Sequence, residues 1–262
     1  MNSEPKTAKP SDSHVQSFAR GLAVIRSFNA QRTQQTLSDV AAATGLTRAG
    51  ARRILLTLQG LGYVSSQGRQ FSLTPKILDL GFAFLSSQPL WHLAEPVMQA
   101  LTAKIHESCS MAVLEGGDIV YLLRVPAGKI MSINLGVGSR LPAYCTSMGR
   151  VLLAGLDEAS LAQALSQHEL AARTPRTLTR LSDLKAELRR VRERGYCIVD
   201  QELEEGLISI AAPIVDRNGA VVAALNISGS SHRTPEAEVV KQFLPQLLSA
   251  AAEISQLLKA TR

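Results

Sequence analysis

Cysteine is scarce in this chain and unsuited to pairing. Cys109, Cys145 and Cys197 are odd in number and far apart, without a CxxC pair, an HExxH or a His/Cys cluster at ligand spacing. Neither a disulfide framework nor a zinc site organises the fold, and reducing cytoplasm is the expected compartment. Long apolar runs are missing as well: none reaches the ~18 residues a membrane span needs. The opening MNSEPKTAKPSDS lacks the apolar segment of a signal peptide, so residues 1–14 are expected to be a polar, disordered tail. Catalytic signatures are equally absent. There is no G-x-S-x-G, and the five histidines pair with no nucleophile; His106, three before Cys109, reads as structural. The expectation is a soluble non-enzyme with no cofactor, no metal and no membrane partner.

Acidic residues are scarce only at one end. Through Thr74 nine Lys and Arg face three Asp and Glu, whereas from Pro75 onward there are nineteen of each. The entire net charge of +6 therefore sits on one segment, which suits contact with phosphates. A charge serving solubility alone would not stop there.

That segment contains TLSDVAAATGLTRAGARRILLTLQGL (36–61). Leu37, Val40 and Ala41 fall on one face of a short helix, which Thr36 caps with Asp39 in the capping-box slot. Gly45 provides the left-handed residue that ends it. Thr47 then caps a second helix with the core stripe Ala51, Ile54, Leu55 and Leu58. Ala49, Arg52 and Arg53 point away from that stripe, where arginines reach phosphates or a guanine edge. This is the layout of a helix-turn-helix with the second helix as reader; a helical hairpin with a solvated basic face is the alternative. Tyr63–Leu73 reads as a hairpin with Arg69 near its tip, a wing beside the reading helix. Val15–Phe28 supplies a supporting helix with Phe18, Leu22, Ile25 and Phe28 on one face. Residues 15–74 thus form a small winged DNA-binding domain, with Thr47, Arg48, Arg52, Arg53, Thr57 and Arg69 as its candidate contacts to double-stranded operator DNA.

Thr74-Pro75 opens a linker helix over 75–88 with Leu78, Gly81, Phe82 and Leu85 on its apolar side. Such a helix either packs on a second chain or docks on the domain that follows. Residues 89–262 read as α+β. A helix over Pro89–Glu107 precedes SMAVLEGGDIVYLLRV (110–125), a strand, a Gly116-Gly117 turn and a second strand. Lys129–Leu135 is expected as a third strand and Gly136–Leu141 as a loop. Helices follow from Thr146, over Asp157–Leu165, and over Ser182–Arg194 with Ser182 as cap. After a strand at 195–200, Asn218-Gly219 turns a hairpin between Ser209–Val215 and Ala220–Ser228. A long helix over Thr234–Leu258, kinked at Pro245, closes the chain.

Three features of the second domain suit a small ligand. The helix start at Thr146-Ser147-Met148 offers free N–H groups to a carboxylate or phosphate. In AVVAALNISG (220–229), strand alternation puts Val222, Ala224, Asn226 and Ser228 on one face and Val221, Ala223, Leu225 and Ile227 on the other. Asn226 and Ser228 among small apolar neighbours need either water or a partner, and Ser209 stands on the adjoining strand. Asp200 and Glu202, just off a strand end, are placed to orient a lid or accept from a hydroxyl.

Three blocks carry a resemblance: LSDVAAATGLTRAGARRILLTLQGLGYV, LPAYCTSMGRVLLA, and RGYCIVDQELEEGLISIAAPI followed by GAVVAALNISG. Together they resemble the IclR-type bacterial transcriptional regulators from Val15 to about Leu258. The second block is especially similar to the branch governing aromatic-acid breakdown through the β-ketoadipate pathway. The resemblance implies a winged helix-turn-helix, a linker helix used in dimerisation, and a GAF-like effector-binding domain. It implies effector contacts at Ser147, Met148, Leu207, Ser209, Asn226 and Ser228, with an acidic contribution near Val199 and Asp200. It also implies a small carboxylate effector such as protocatechuate, 4-hydroxybenzoate or β-ketoadipate, and a homodimer or tetramer. An enzyme or metabolite-binding protein of the α+β domain, and a ligand-independent DNA-binding protein, are the competing readings.

Overall fold

The computed structural model describes residues 14–87, 89–127, 135–167 and 169–261. They divide into two compact units with the boundary between Phe84 and Leu85. The expected tail over 1–14 lies outside the described residues except for His14, and the expected strand over Lys129–Leu135 except for Leu135, which is in no strand.

The first unit holds α1 (Gln16–Ser27), β1 (Gln35–Thr36), α2 (Leu37–Thr44), α3 (Arg48–Gly60), β2 (Val64–Gln67) and β3 (Gln70–Leu73), and α4 (Leu78–Ser86) begins in it and ends two residues past the boundary. Local chemistry sets the boundaries of α2 and α3. Thr36 and Asp39 exchange both bonds of a capping box, Gly45 takes φ 66°, and Thr47 Oγ1 accepts the Gly50 N–H at 3.1 Å. Val24, Val40, Ala51, Leu55 and Val64 form a small core. On α1 the expected inward face is wrong at two places: Phe18 is 68% and Leu22 43% exposed, and Val24 is the buried residue instead. A third strand, β1, joins the wing through Gln35–Phe71 and Thr36–Gln70. Thr74 is not a side-chain cap; its hydroxyl donates to the Gly62 carbonyl, and Pro75–Ile77 is a 3-10 turn ahead of α4.

The second unit contains α5 (Pro89–Ile105), β4 (Ser108–Glu115), β5 (Asp118–Val125), β6 (Arg140–Pro142), α6 (Ser147–Ala154), α7 (Glu158–Leu165), α8 (Leu181–Arg194), β7 (Cys197–Asp200), β8 (Leu207–Val215) and β9 (Val221–Ser230). The strands form one antiparallel sheet in the order β6-β5-β4-β9-β8-β7. Leu225, Ile227, Met111 and Ile210 pack against α5 and the C-terminal helix on one face; Ala224, Ala112 and Ala211 pack against α6 and α8 on the other. The small residues on this second face let α6 approach closely, and all eight of its residues are buried.

Several local expectations are corrected. Arg140 and Leu141, expected as loop, form β6 together with Pro142 and pair with β5 at the edge of the sheet. Ser182 lies inside α8 rather than at its cap; the Arg180 carbonyl accepts the first helical N–H bonds, and Ser182 Oγ bonds Asp183. On β9 the alternation holds from Ala223 to Ser228 but not before. Ile214 pairs with Ala223 and Val215 with Val221, so Val222 is the extra residue of a bulge, and the bulge exchanges the faces of Val221 and Val222. The closing helical segment starts with one turn, α9 (Glu236–Glu238), widens to a π turn over Val239–Phe243 and continues as α10 (Leu244–Ala260). Pro245, which lacks an N–H, sits just after that widening.

Candidate DNA-reading surface and ligand cavity

On the first unit, Arg48, Arg52 and Arg53 stand exposed along α3, and Arg69 is exposed at the wing turn beside Gly68 (φ 60°). None of these four guanidinium groups is held by an ion pair or hydrogen bond among the described residues. They are free to meet phosphates or base edges. Thr47 and Thr57 are committed locally: Thr47 Oγ1 caps α3, and Thr57 Oγ1 donates to the Arg53 carbonyl at 2.9 Å. The wing is fixed to the base of α3 by Lys76, whose Nζ donates to the Leu61 carbonyl at 2.9 Å and lies 5.2 Å from the centre of the Tyr63 ring.

An open cleft of about 1030 Å³ lies along the same unit, bounded by Phe18, Leu22, Ile54, Leu61 and Leu80. Its lining is mostly apolar, with Arg20, Thr47, Arg53 and Thr57 among its polar members. Four large side chains of α4 are also exposed: Leu78 (70%), Leu80 (51%), Phe82 (61%) and Phe84 (50%).

The second unit encloses a cavity of about 30 Å³. The start of α6 contributes Thr146, Ser147 and Met148; the sheet contributes Tyr121, Val199, Leu207, Ser209, Asn226 and Ser228. Cys145, Leu135 and Leu203 complete it. The Thr146 hydroxyl accepts the Gly149 N–H at 3.2 Å, and the Thr146 carbonyl accepts that of Arg150 at 3.0 Å. The Ser147 and Met148 N–H groups have no such intrahelical partner, as at any helix start. The Ser147 hydroxyl is buried and finds no hydrogen bond among the described residues. On the sheet side Asn226 is 4% exposed on a central strand, so water at an edge does not satisfy it. Its Oδ1 accepts the Ser110 N–H at 3.1 Å, which orients the amide nitrogen away from β4.

Among the described residues no charged side chain lines this cavity. A negative group there would rely on N–H dipoles and hydroxyls. Burial holds the two ionisable lining groups neutral: the Tyr121 phenol is pushed up to about 12, against a smaller opposing pull from Arg124, and the Cys145 thiol to about 11, against Arg173 and Arg150. Six of the seven effector residues expected from sequence meet here. Asp200 is not among the lining residues. Strand alternation turns Val199 toward the cavity and Asp200 away, and its carboxylate pairs with Arg176.

Two family models match the chain: "IclR helix-turn-helix domain" over residues 17–68 and "Bacterial transcriptional regulator IclR C-terminal" over residues 82–256. The chain belongs to the IclR family of bacterial transcriptional regulators. It is 48% identical to the Pca regulon regulatory protein of Pseudomonas putida over 239 residues, which cover 91% of this chain and 82% of that protein. It is 32% identical over 251 residues to the p-hydroxybenzoate hydroxylase transcriptional activator of Acinetobacter baylyi, covering 94% of this chain and 93% of that one. Among solved structures, an IclR homologue from Microbacterium hydrocarbonoxydans complexed with 4-hydroxybenzoate superposes with a TM-score of 0.81. That protein is 27% identical, and the match covers 94% of this chain and all of the other.

Sequence reasoning alone did not reach every lining residue of this IclR-family cavity. Tyr121 pairs with Ala112 in unbroken register from the Gly116-Gly117 turn and shares the face of Ile119 and Ala112, so plain alternation places it; the register slip lies beyond it, at Leu122. Leu203 arrives from an irregular segment, and Cys145 from a 3-10 turn (Ala143–Cys145). The arginines ending α8, expected to complement that helix or to be solvated, include one with a specific task. Arg192 donates to the Ala154 and Leu156 carbonyls at 2.7 and 2.8 Å and so closes the far end of α6. Among the described residues no helix is long and apolar enough to cross a membrane.

Proposed function

We propose that this protein is a cytoplasmic, operator-binding regulator whose second unit senses a small carboxylate of aromatic-acid breakdown: protocatechuate, 4-hydroxybenzoate or β-ketoadipate. The observation that carries the reading is the convergence of Ser147, Met148, Leu207, Ser209, Asn226 and Ser228 on one cavity at a helix start. The carboxylate lies against the free N–H groups of Ser147 and Met148 and the Ser147 hydroxyl. Asn226, Ser209 and Ser228 take the second polar group of the ligand. The relatives named above regulate the Pca regulon and p-hydroxybenzoate hydroxylase, and one structural relative holds 4-hydroxybenzoate. Arg48, Arg52, Arg53 and Arg69 contact operator DNA, with Thr47 and Thr57 beside them.

The small size of the cavity favours one competing reading, a DNA-binding protein with no ligand. Against it stands the Ser147 hydroxyl, which lines the cavity and is buried without a partner among the described residues. It costs about 1–3 kcal/mol if left unsatisfied, which a purely structural core gains nothing by keeping. Thermal denaturation with each acid separates the two. A ligand at ~100 times its dissociation constant adds about 2.7 kcal/mol and raises the melting point by a few degrees. A flat response to all three acids supports the ligand-free reading.

The protein acts as a homo-oligomer, at minimum a homodimer. The exposed side chains of α4 and the apolar cleft beside α1 are covered by a second copy, which also supplies a second reading helix for a two-fold operator. The chain is organised as a winged domain over 15–74, a linker helix over 75–88 and an effector domain over 89–262.

A further inference from the structure

The segment between β7 and β8 is irregular, yet it is held by bonds to distant parts of the unit. Thr174 Oγ1 donates to the Gln201 carbonyl and Thr177 Oγ1 to the Glu202 carbonyl, both at 2.6 Å. The Glu202 side chain runs inward. Its Oε1 accepts from Arg150 Nη1 at 2.6 Å, and its Oε2 accepts from Arg150 Nη2 at 2.5 Å and from the Leu178 N–H at 3.0 Å. Arg150 is 2% exposed and also donates from Nε to the Tyr144 carbonyl at 2.8 Å. Removing either partner would leave an uncompensated buried charge, so the fork holds one geometry. Its position matters: Arg150 follows Ser147 by three residues on α6, and Glu202 immediately precedes Leu203. The pair joins two walls of the same cavity.

A space of about 30 Å³ accommodates roughly one water, so any organic acid requires a wall to move. The sheet wall, with Ser209, Asn226 and Ser228, belongs to the inner strands β8 and β9. The α6 wall is buried along its whole length. Residues 201–206 differ from both. Gln201 and Gly206 have φ of 61° and 78°, Leu203 is half-buried, and Glu205 is exposed. The segment's backbone bonds gather at its two ends: the Gln201 N–H donates to the Leu207 carbonyl at 2.7 Å, the Gly206 N–H to Gln201 Oε1 at 3.0 Å, the Leu207 N–H to the Glu204 carbonyl at 3.3 Å, and the Ser231 N–H to the Gly206 carbonyl at 2.9 Å.

We propose that Leu203–Gly206 is the movable wall of the cavity, and that Arg150 and Glu202 are positioning residues that tie this wall to the start of α6. Filling the cavity and placing the β7–β8 segment are then one event. This rests on the cavity being the effector site, but the coupling itself is measurable without ligand. In hydrogen exchange on the full-length protein, Glu202→Gln keeps the shape and removes the charge. The Gly206 and Leu207 amides are expected to exchange at least tenfold faster, with β4 and β9 unchanged. No acceleration in the segment, or an equal acceleration across β4 and β9, overturns the proposal. Should that variant fail to fold, exchange in the wild type decides: these amides must open at a lower denaturant concentration than β9, and opening only with global unfolding refutes a movable wall. Leu203→Ala leaves the ion pair intact and is expected to speed 4-hydroxybenzoate association at least fivefold; an unchanged rate counts against Leu203 as the barrier. If the wild type binds neither 4-hydroxybenzoate, protocatechuate nor β-ketoadipate, the sensing reading fails while the exchange result still decides the coupling.

Discussion

Replacing Gly149 by alanine sets two effects of opposite sign against each other. Gly149 lies inside α6, where alanine is the better helix former by about 1 kcal/mol. On that count the substitution stabilises. The surroundings reverse it. An added Cβ would fall on the Ala143 carbonyl oxygen and Cα and within 2.5 Å of Thr146 Oγ1, whereas ordinary contact begins at 3.4 Å. Most of these atoms are backbone in a tight turn, so relief requires the start of α6 to shift by about 1 Å, and overpacking of this kind costs about 1–3 kcal/mol or more. The clash outweighs the propensity gain. The expected outcome for Gly149→Ala is a loss of roughly 2 kcal/mol or more in the second unit, measured as a lower urea midpoint at unchanged slope. Acid binding should weaken along with it, because the displaced residues carry the Ser147 and Met148 N–H groups. Non-specific DNA binding, which depends on the first unit, should persist. A melting point equal to or above that of the wild type would refute the packing argument.

Arg53→Ala is expected to weaken specific operator binding by about 1–3 kcal/mol if Arg53 reads a base; a uniform loss on all sequences with a shallower salt slope would mark a phosphate contact. Cys145 is fully buried, and burial also raises its thiol to about 11, so iodoacetamide at pH 8 should label it far more slowly in the folded protein than in urea; labelling at the same rate in both would contradict the burial. Phe82→Glu places a charge on the exposed face of α4 and should shift sedimentation toward monomer; an unchanged oligomer would show that this face is not the interface.

Local chemistry was readable wherever the partners lie within a few residues of each other. The Thr36–Asp39 box, the left-handed Gly45, the Thr47 cap and the Asn218-Gly219 turn each depend on spacing alone, and spacing is what a sequence displays. The polar face of β9 was legible for the same reason over Ala223–Ser228. It failed at Val222, where one extra residue in a bulge inverts the alternation. The pairing of β1 with β3, the edge strand β6 and the Arg150–Glu202 fork bring together residues distant in sequence, and no local pattern announces them. Phe18 and Leu22 have helical spacing and apolar character, but periodicity cannot say whether the surface they meet belongs to the same chain.

The most direct test is operator affinity, measured with and without protocatechuate, 4-hydroxybenzoate and β-ketoadipate, on the wild type and on Asn226→Leu. The operator would be selected from a random-sequence library. Coupling between two sites is typically about 1–3 kcal/mol, so at least one acid should change wild-type affinity by about fivefold or more. The same acid should leave the variant unchanged, because leucine removes the amide from the cavity while keeping a side chain of similar size. Equal affinity under all conditions, or an equal response in both proteins, would contradict an effector site at α6 and β9.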